Sequence, residues 1–305
     1  MSRALVVGAA GFVGQHLSNA LGQAQWQVVG AGRSGAPPGW PHEWVPCDLS
    51  SPESVAAALS QAGADTIFQV AAPAPSDFEA LLDVQVAGTA RLLDAVHAAG
   101  AAGRVVTVGS AAEYGAVEAG ELPVEETAAP RPVSLYGVAK TAQTLVSLCP
   151  GSGALVARLF NVSGPGEPRS LVCGAFASQI AELECDRRGG AIAVGDLTPE
   201  RDFVDVRDAA EALVALAERG APGEVYNVCS GVPTSIGEVL EQLSRQATVA
   251  VEPRFDRARA AGSDVPRMVG SAAKLAQATG WAPRIALEQT LAHVLGAYRN
   301  LSARP

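Results

Sequence analysis

Hydrophobic and polar positions along the first 160 residues alternate between two patterns. Short apolar runs rich in β-branched residues are separated by longer Ala- and Leu-rich stretches with polar residues at helical spacing. The apolar runs are "ALVVG", "WQVVGAG", "TIFQVAA", "RVVTVGS" and "ALVARLF". Strands that alternate with helices in this way form right-handed βαβ units and a parallel sheet covered on both faces. The pattern therefore predicts an α/β fold with a doubly wound parallel sheet.

The stretches between those runs predict the helices. They read "VGQHLSNALGQA", "SPESVAAALSQAG", "DFEALLDVQVAGTARLLDAVHAAG" and "SLYGVAKTAQTLVSLC". After Asn161 the elements become shorter and mixed, although "GEVYNVCSG" predicts one more buried strand and "TSIGEVLEQL" a helix capped by Thr234 or Ser235. We expect a first domain over residues 1–165, to which 204–231 return. A smaller mixed α/β substrate lobe is expected from 166–203 and 232–305.

Composition narrows the class of protein. Of the 305 residues, 48% are hydrophobic and 17% are charged, which is enough for a large buried core. The net charge of -9 and the absence of a basic block argue against nucleic acid as a partner. No apolar run is long enough for a membrane span, and the N-terminus lacks a signal-peptide pattern. Five scattered cysteines without metal-ligand spacing predict no metal site and a reducing, cytoplasmic location.

A glycine-rich loop lies at the first strand–helix junction. Gly8, Gly11 and Gly14 form a GxxGxxG that allows a tight turn and a close approach of the backbone to a ligand. The following helix N-terminus presents N–H groups that suit a pyrophosphate. This position at the first strand predicts a Rossmann-type dinucleotide-binding domain.

The end of the second strand indicates which dinucleotide binds. NAD-binding folds usually carry Asp or Glu there, whereas this chain has Arg33 followed by Ser34. A guanidinium suits the 2′-phosphate of NADP(H), with which it can form two parallel charge-assisted hydrogen bonds. Asp48 and Leu49, after a third apolar run, are expected beside the adenine. We therefore predict NADP(H) as the cofactor.

Candidate catalytic chemistry lies in "SLYGVAK". Tyr136 and Lys140 stand four residues apart on a predicted helix, and so on one face. A nearby ammonium favours the phenolate and would bring the pKa of the phenol toward neutrality for proton transfer. Ser110, at the end of the fourth strand, can donate a hydrogen bond to a reacting oxygen. Lysine is rare in this chain, which has only Lys140 and Lys274, but genome composition can explain that scarcity.

Together these motifs resemble the extended short-chain dehydrogenase/reductase family, over nearly the whole chain. Further matches are "GSAAEYG", "RLFNVSGPG", "GDLTPERDFVDVRDAAEA", "GEVYNVCSG" and "GSAAKLAQATGWAP". The most similar subgroup is the GDP-4-keto-6-deoxy-mannose reductases. The resemblance implies a Ser110, Tyr136 and Lys140 triad, with further cofactor contacts at Phe12, Val13, Ala71 and Ala72. The implied substrate contacts, besides Ser110 and Tyr136, are Ala111, Asn161, Leu171, Val172, Arg201 and Arg259.

Three departures from the family pattern qualify that resemblance. The 4,6-dehydratases of the family carry an acid pair directly after the catalytic Ser/Thr, where this chain has Ala111 and Ala112. Glu113 comes one residue later and is expected to point elsewhere. The family's N-x-x-G-T helix begins here with Gln85, and Ala261 stands where the reductases often have a second arginine. A dehydratase activity is therefore not expected, and the base of the nucleotide stays open.

These observations favour a reductase that uses NADPH to reduce the C4 ketone of an NDP-4-keto-6-deoxyhexose, linked to GDP or dTDP. One alternative is a nucleotide-sugar 4-epimerase with the same triad and a tightly retained NAD, against which Arg33 argues. Another is a non-catalytic NADP(H)-sensing regulator, which would not need the triad. The family also implies a homodimer through the helix of residues 77–99 and the helix that carries Tyr136.

Overall fold

The computed structural model of the chain describes residues 2–72, 77–100, 103–259 and 265–302. The strands in these ranges are β1 (Arg3–Val7), β2 (Gln27–Gly32), β3 (Glu43–Pro46), β4 (Thr66–Gln69), β5 (Arg104–Ser110), β6 (Ala154–Leu159), β7 (Asn161–Ser163), β8 (Gly190–Val194), β9 (Glu200–Asp205), β10 (Val225–Val228), β11 (Pro233–Ser235), β12 (Val251–Phe255) and β13 (Arg267–Met268). The α-helices are α1 (Phe12–Gln23), α2 (Pro52–Ala62), α3 (Phe78–Leu81), α4 (Gly88–Ala98), α5 (Leu135–Ser147), α6 (Val172–Cys185), α7 (Val206–Arg219), α8 (Ile236–Gln246), α9 (Ala273–Thr279) and α10 (Leu287–Ser302).

Seven parallel strands form the main sheet, in the order β10-β6-β5-β4-β1-β2-β3. One face packs on α1 and α7 through Leu17, Leu21 and Leu213, and the other on α2 and α4 through Val55 and Leu92. Apolar side chains are buried on both faces, as a parallel sheet requires. The predicted doubly wound α/β fold is confirmed.

A second group of elements follows β6. Strand β9 pairs with β7 and β13 in parallel and with β11 in antiparallel orientation, and β12 pairs with β8. Helices α6, α8 and α10 share their own apolar core, which includes Ile180, Leu243 and Leu295. Strand β10, although it comes after α7, lies beside β6 at the edge of the main sheet. The division of the chain into domains at residues 165, 203 and 231 stays a prediction.

Local signals explain where two of the helices start. The Ser134 hydroxyl accepts a hydrogen bond from the Gly137 N–H at 3.1 Å and begins α5. Ser235, rather than Thr234, caps α8, and the Glu238 carboxylate accepts a hydrogen bond from the Ser235 N–H, which completes a capping box. These hydroxyls satisfy N–H groups that the first turn of a helix leaves without partners.

The long helix that the sequence predicts over residues 77–100 differs in one respect. A π-helical segment, Leu82–Ala87, separates α3 from α4. Gly88 follows it and packs so closely on Leu49 that a Cβ there would lie 2.8 Å from the Leu49 Cβ. Hydrophobic periodicity does not reveal the one extra residue per turn, because both helix types present an apolar stripe on one side.

Candidate active site

The glycine loop connects β1 to α1 at the carboxyl edge of the sheet. Gly8 has a φ of +93°, and a Cβ on it would lie 2.6 Å from the Ala71 backbone. A Cβ on Gly14 would lie 2.2 Å from the Gly8 carbonyl oxygen. Gly11 precedes α1 without a side-chain cap, so the N–H groups of Phe12 and Val13 are available to an anion. This cradle fits the pyrophosphate of a dinucleotide.

Four other cofactor candidates follow the ends of β2 and β3. Arg33 and Ser34 are exposed directly after β2, while Leu49 is buried. The Asp48 carboxylate accepts hydrogen bonds from the N–H and hydroxyl of Ser50, which lower the pKa of Asp48, and the Arg33 charge acts in the same direction. The guanidinium is therefore close enough to Asp48 to influence its ionisation. These residues lie at the same sheet edge as the glycine loop.

Ala71 and Ala72 complete that edge. They follow β4, and the Val70 N–H donates to the Val7 carbonyl, which keeps the two strand ends together. Because Gly8 touches Ala71, the turns after β1 and β4 meet directly. Every cofactor candidate that the sequence singled out therefore follows the carboxyl end of a strand or, like Tyr136 and Lys140, lies on α5 next to β5.

The structure brings Ser110, Tyr136 and Lys140 together. Ser110 is the last residue of β5, and its side chain lies near enough to the Tyr136 phenol to influence the pKa of Tyr136. The Lys140 amino group lies 6.0 Å from the centre of the Tyr136 ring. Lys140 is buried, and its amino group donates to the Val108 carbonyl at 2.8 Å and to Gln143 Oε1 at 2.9 Å. The arrangement presents a hydroxyl, a phenol and an ammonium at one place.

The pKa values of this group differ from the expectation that Lys140 lowers that of the phenol. Burial raises the pKa of Tyr136, the nearby Ser110 hydroxyl opposes this effect, and the Glu113 charge adds to it. Burial also lowers the pKa of Lys140 to about 8, against the opposing charge of Glu113. Desolvation is the largest cause of both shifts, because both groups are largely removed from water.

Comparison with known proteins identifies the family. Residues 4–229 match the family described as the NAD dependent epimerase/dehydratase family. The match covers the glycine loop, the triad and β10. The chain belongs to this family.

Relatives within the epimerase/dehydratase family cover most of the chain. GDP-6-deoxy-D-mannose reductase of Pseudomonas aeruginosa is 34% identical over 98% of this chain and 97% of its own. The dTDP-6-deoxy-L-talose 4-dehydrogenase (NAD(P)(+)) of Kitasatospora kifunensis is 31% identical over 82% of this chain and 81% of its own. RMD from Pseudomonas aeruginosa, solved in complex with NADPH, superposes with a TM-score of 0.85 at 34% identity and covers 99% of both chains. The chain is therefore an NAD(P)-dependent oxidoreductase of this family.

The epimerase/dehydratase fold also positions residues that sequence reasoning did not assign. Glu113 points into the core, as expected for a residue displaced from the dehydratase acid positions, and binds Arg158 Nε at 2.8 Å. The Arg158 guanidinium in turn lies 4.7 Å from the centre of the Tyr114 ring. Gly137 was also overlooked, although a Cβ there would lie 2.5 Å from the Ala112 carbonyl oxygen. Because Gly137 has no Cβ, α5 can pack against the turn after Ser110.

Most of the substrate candidates, apart from Ser110, Ala111 and Tyr136, lie in the second group of elements. Asn161 begins β7, Leu171 and Val172 begin α6, and Ala111 is buried beside Ser110. Arg201 lies in β9, where burial lowers its pKa and its guanidinium donates to the Glu200 carbonyl. Arg259 follows β12, 3.9 Å from the Asp256 carboxylate. Their role in substrate binding stays a prediction, and Ala261 lies outside the described residues.

Two further features, a metal site and a membrane-spanning helix, are absent from the described residues. No cluster of three or more His, Cys, Asp or Glu side chains there could hold a metal ion. Within the same ranges, no helix is long and apolar enough to cross a membrane.

Proposed function

We propose that this protein is an NADPH-dependent 4-ketoreductase that converts an NDP-4-keto-6-deoxyhexose, linked to GDP or dTDP, into the NDP-6-deoxyhexose. The observation that carries the proposal is the complete triad without dehydratase acids. Ala111 and Ala112 cannot transfer protons, and Glu113 forms an ion pair with Arg158 in the core. A site with one proton donor suits the reduction of a ketone, whereas the loss of water needs a further acid and base.

Each residue of the triad has a separate role in the proposed reduction. NADPH, when bound, supplies a hydride to C4 of the sugar. Tyr136 gives its phenolic proton to O4 as the carbonyl becomes a hydroxyl, and water reprotonates the phenolate. A raised phenol pKa keeps Tyr136 protonated before each turnover, as a proton donor requires. The Ser110 hydroxyl donates to O4 as negative charge develops there, and Lys140 stabilises the phenolate and binds the nicotinamide ribose.

Arg33 supports NADPH as the cofactor of this reaction. It is exposed at the end of β2, where its guanidinium can bind a 2′-phosphate, and no acidic residue stands at that position to hold the 2′-hydroxyl of NAD. The relative of known structure from Pseudomonas aeruginosa is complexed with NADPH. Asn161, Leu171, Val172, Arg201 and Arg259 are proposed to bind the nucleotide sugar.

The test is reduction by the purified protein. Incubation with NADPH and GDP- or dTDP-4-keto-6-deoxyhexose should oxidise the cofactor, seen as loss of its near-ultraviolet absorbance. Tyr136→Phe should lower the turnover number by about 10²–10⁴-fold. Tyr226→Phe is the control, because that hydroxyl only accepts a hydrogen bond from the Ala221 N–H, remote from the triad. No oxidation with either substrate would refute the proposal.

A 4-epimerase is the second candidate. The UDP-glucose 4-epimerase of Thermus thermophilus in complex with NAD superposes with a TM-score of 0.83 at 27% identity, and the triad serves both reactions. An epimerase removes a hydride and returns it to the other face, so it retains its cofactor. Tightly bound NAD⁺ in the purified protein would favour the epimerase, and exchangeable NADPH the reductase.

We also propose a homodimer. Leu135, Val138 and Leu145 lie on one side of α5 and are 57%, 41% and 64% exposed, and Leu82 of the adjoining π-helical segment is 37% exposed. These four side chains are called the α5 face below. Exposed apolar side chains on helices that pack together favour association with a second copy of the chain. The cytoplasmic location stays a prediction.

A further inference from the structure

Two hydrogen-bond acceptors of the chain bind the amino group of Lys140. The Val108 carbonyl belongs to β5, and Gln143 Oε1 lies one turn farther along α5. An ammonium has three N–H donors, so these acceptors use two of them and leave one for the active site. Lys140 is only 3% exposed, and the direction of that third donor therefore depends on the two acceptors rather than on water.

The orientation of the Gln143 amide is set by a chain of hydrogen bonds that ends on the π-helical segment. The Thr89 hydroxyl donates its single proton to the Gln85 carbonyl at 2.6 Å, so its oxygen can only accept from other groups. Gln143 Nε2 donates to that oxygen at 3.1 Å, and Gln69 Nε2 does so at 3.5 Å. The Gln143 oxygen must then face Lys140. The reverse orientation would place an NH₂ group against the ammonium.

We propose that Gln143 is a positioning residue for the reduction, which acts through Lys140 by keeping it charged and directing its remaining N–H toward the reacting groups. This inference rests on the proposed ketoreductase function for its effect on turnover. Its effect on Lys140 itself does not depend on the substrate. Gln143 is fully buried and does not touch the reacting atoms, so it acts only through the lysine.

The charges around Lys140 make this neutral acceptor important. Burial brings the pKa of Lys140 down to about 8, and the Glu113 carboxylate is the charge that opposes this shift. The other ionisable side chains on elements packed against α5 are Glu79, Asp83, Arg91, Asp94, His97, Arg104, Tyr114 and Arg158. Asp83 pairs with Arg91, and Arg158 pairs with Glu113. A hydrogen-bond acceptor on the charged form raises the pKa of an amine, so loss of the Gln143 oxygen should lower that of Lys140 further.

The chain offers a direct measurement of this effect. It contains only two lysines, and Lys274 is a surface residue paired with Glu224 at 2.7 Å. Protein with carbon-13-labelled lysine should therefore give two side-chain signals by NMR, and Lys274→Arg assigns them. In the wild type, Lys140 should titrate near pH 8. Gln143→Met, which keeps the shape and removes the acceptor, should lower this pKa by about one unit, and Gln143→Glu should raise it by a similar amount.

Turnover provides the second measurement. The pH above which the turnover number declines should be lower in Gln143→Met and higher in Gln143→Glu. These changes should follow the pKa of Lys140 measured by NMR. The control is Thr144→Val, which changes an equally buried side chain on the next residue whose hydroxyl does not bind Lys140. An unchanged pKa of Lys140 in both Gln143 variants would overturn the inference, even if turnover fell. Shifted pKa values in a protein without ketoreductase turnover would instead refute the proposed function and leave the role of Gln143 toward Lys140 standing.

Discussion

Glu113 and Arg158 form a buried ion pair next to Ser110, with 2.8 Å between Oε2 and Nε and side chains that are 0% and 4% exposed. The other Glu113 oxygen accepts a hydrogen bond from the Ser110 N–H, also at 2.8 Å. The Glu113 carboxylate, three residues after Ser110, is thus structural here. It holds the backbone of Ser110 and contributes negative charge near Lys140 and Tyr136.

Glu113→Gln should destabilise the protein. The change leaves the Arg158 guanidinium buried without a counter-charge, and breaking a buried ion pair typically costs about 3–5 kcal/mol in the free energy of unfolding. Chemical denaturation measures the loss. Glu182→Gln is the matched control, because its pair with Arg169 is exposed and should contribute about 1 kcal/mol or less. Equal effects of the two changes would show that the buried pair is not structural.

The ionisation of Lys140 should have opposite effects on turnover and on stability as the pH rises. Turnover should fall above about pH 8, where the buried ammonium loses its proton. Lysine in the unfolded chain keeps its proton until about pH 10.5, so between these values the unfolded chain binds more protons. The contribution of Lys140 to the free energy of unfolding therefore increases with pH over this interval.

Urea denaturation of the wild type and of Lys140→Met, at several pH values from 8 to 10.5, measures that contribution. The difference between the two proteins removes the titration of all other groups. A difference that stays constant with pH would contradict the lowered pKa of Lys140.

Lys140→Arg should lose most of the turnover while the protein still folds. A compact ammonium fits between the Val108 carbonyl and Gln143 Oε1, whereas the wider planar guanidinium cannot make both contacts and still reach the ribose. Steady-state kinetics measures the loss of turnover, and circular dichroism shows whether the variant folds. Lys274→Arg, on the surface, should leave turnover unchanged. Near-normal turnover of Lys140→Arg would mean that only a positive charge is needed.

Arg33→Ala should reduce the preference for NADPH over NADH by about 10–100-fold, the equivalent of losing hydrogen bonds to a charged group. The measurement is the ratio of kcat/KM values with the two cofactors. The change should act on the KM for NADPH, because Arg33 is remote from the reacting atoms. Arg245→Ala removes another exposed arginine and should not change the ratio. An unaltered ratio in Arg33→Ala would show that another residue recognises the 2′-phosphate.

Leu145→Glu should shift the protein from dimer to monomer, since it places a charge on the α5 face, where Leu145 is 64% exposed. Light scattering during size-exclusion chromatography measures the mass. Leu301→Glu alters a leucine of similar exposure at the end of α10 and should have no effect. A monomeric wild type, or a dimer that persists in Leu145→Glu, would contradict the proposed interface.

Much of the fold could be predicted from local sequence. The β-branched runs, the GxxGxxG loop and the hydroxyl caps were readable because they depend on backbone preference and on neighbours within a few residues. No sequence pattern indicated the short strands of the second group of elements, since their pairing partners are distant in sequence. The π-helical segment was not predicted either, because its apolar stripe resembles that of an α-helix.

Residue type at a fixed spacing predicted the candidate triad and the dinucleotide loop, and the family resemblance added the missing dehydratase acids. The surroundings of these residues depend on the folded chain. Burial, rather than the neighbouring charge, dominates the pKa values of Tyr136 and Lys140. The contacts of Glu113 with Arg158 and of Gln143 with Thr89 join residues 45 and 54 positions apart. Desolvation and such long-range hydrogen bonds exist only once the chain has folded, so no local pattern could reveal them.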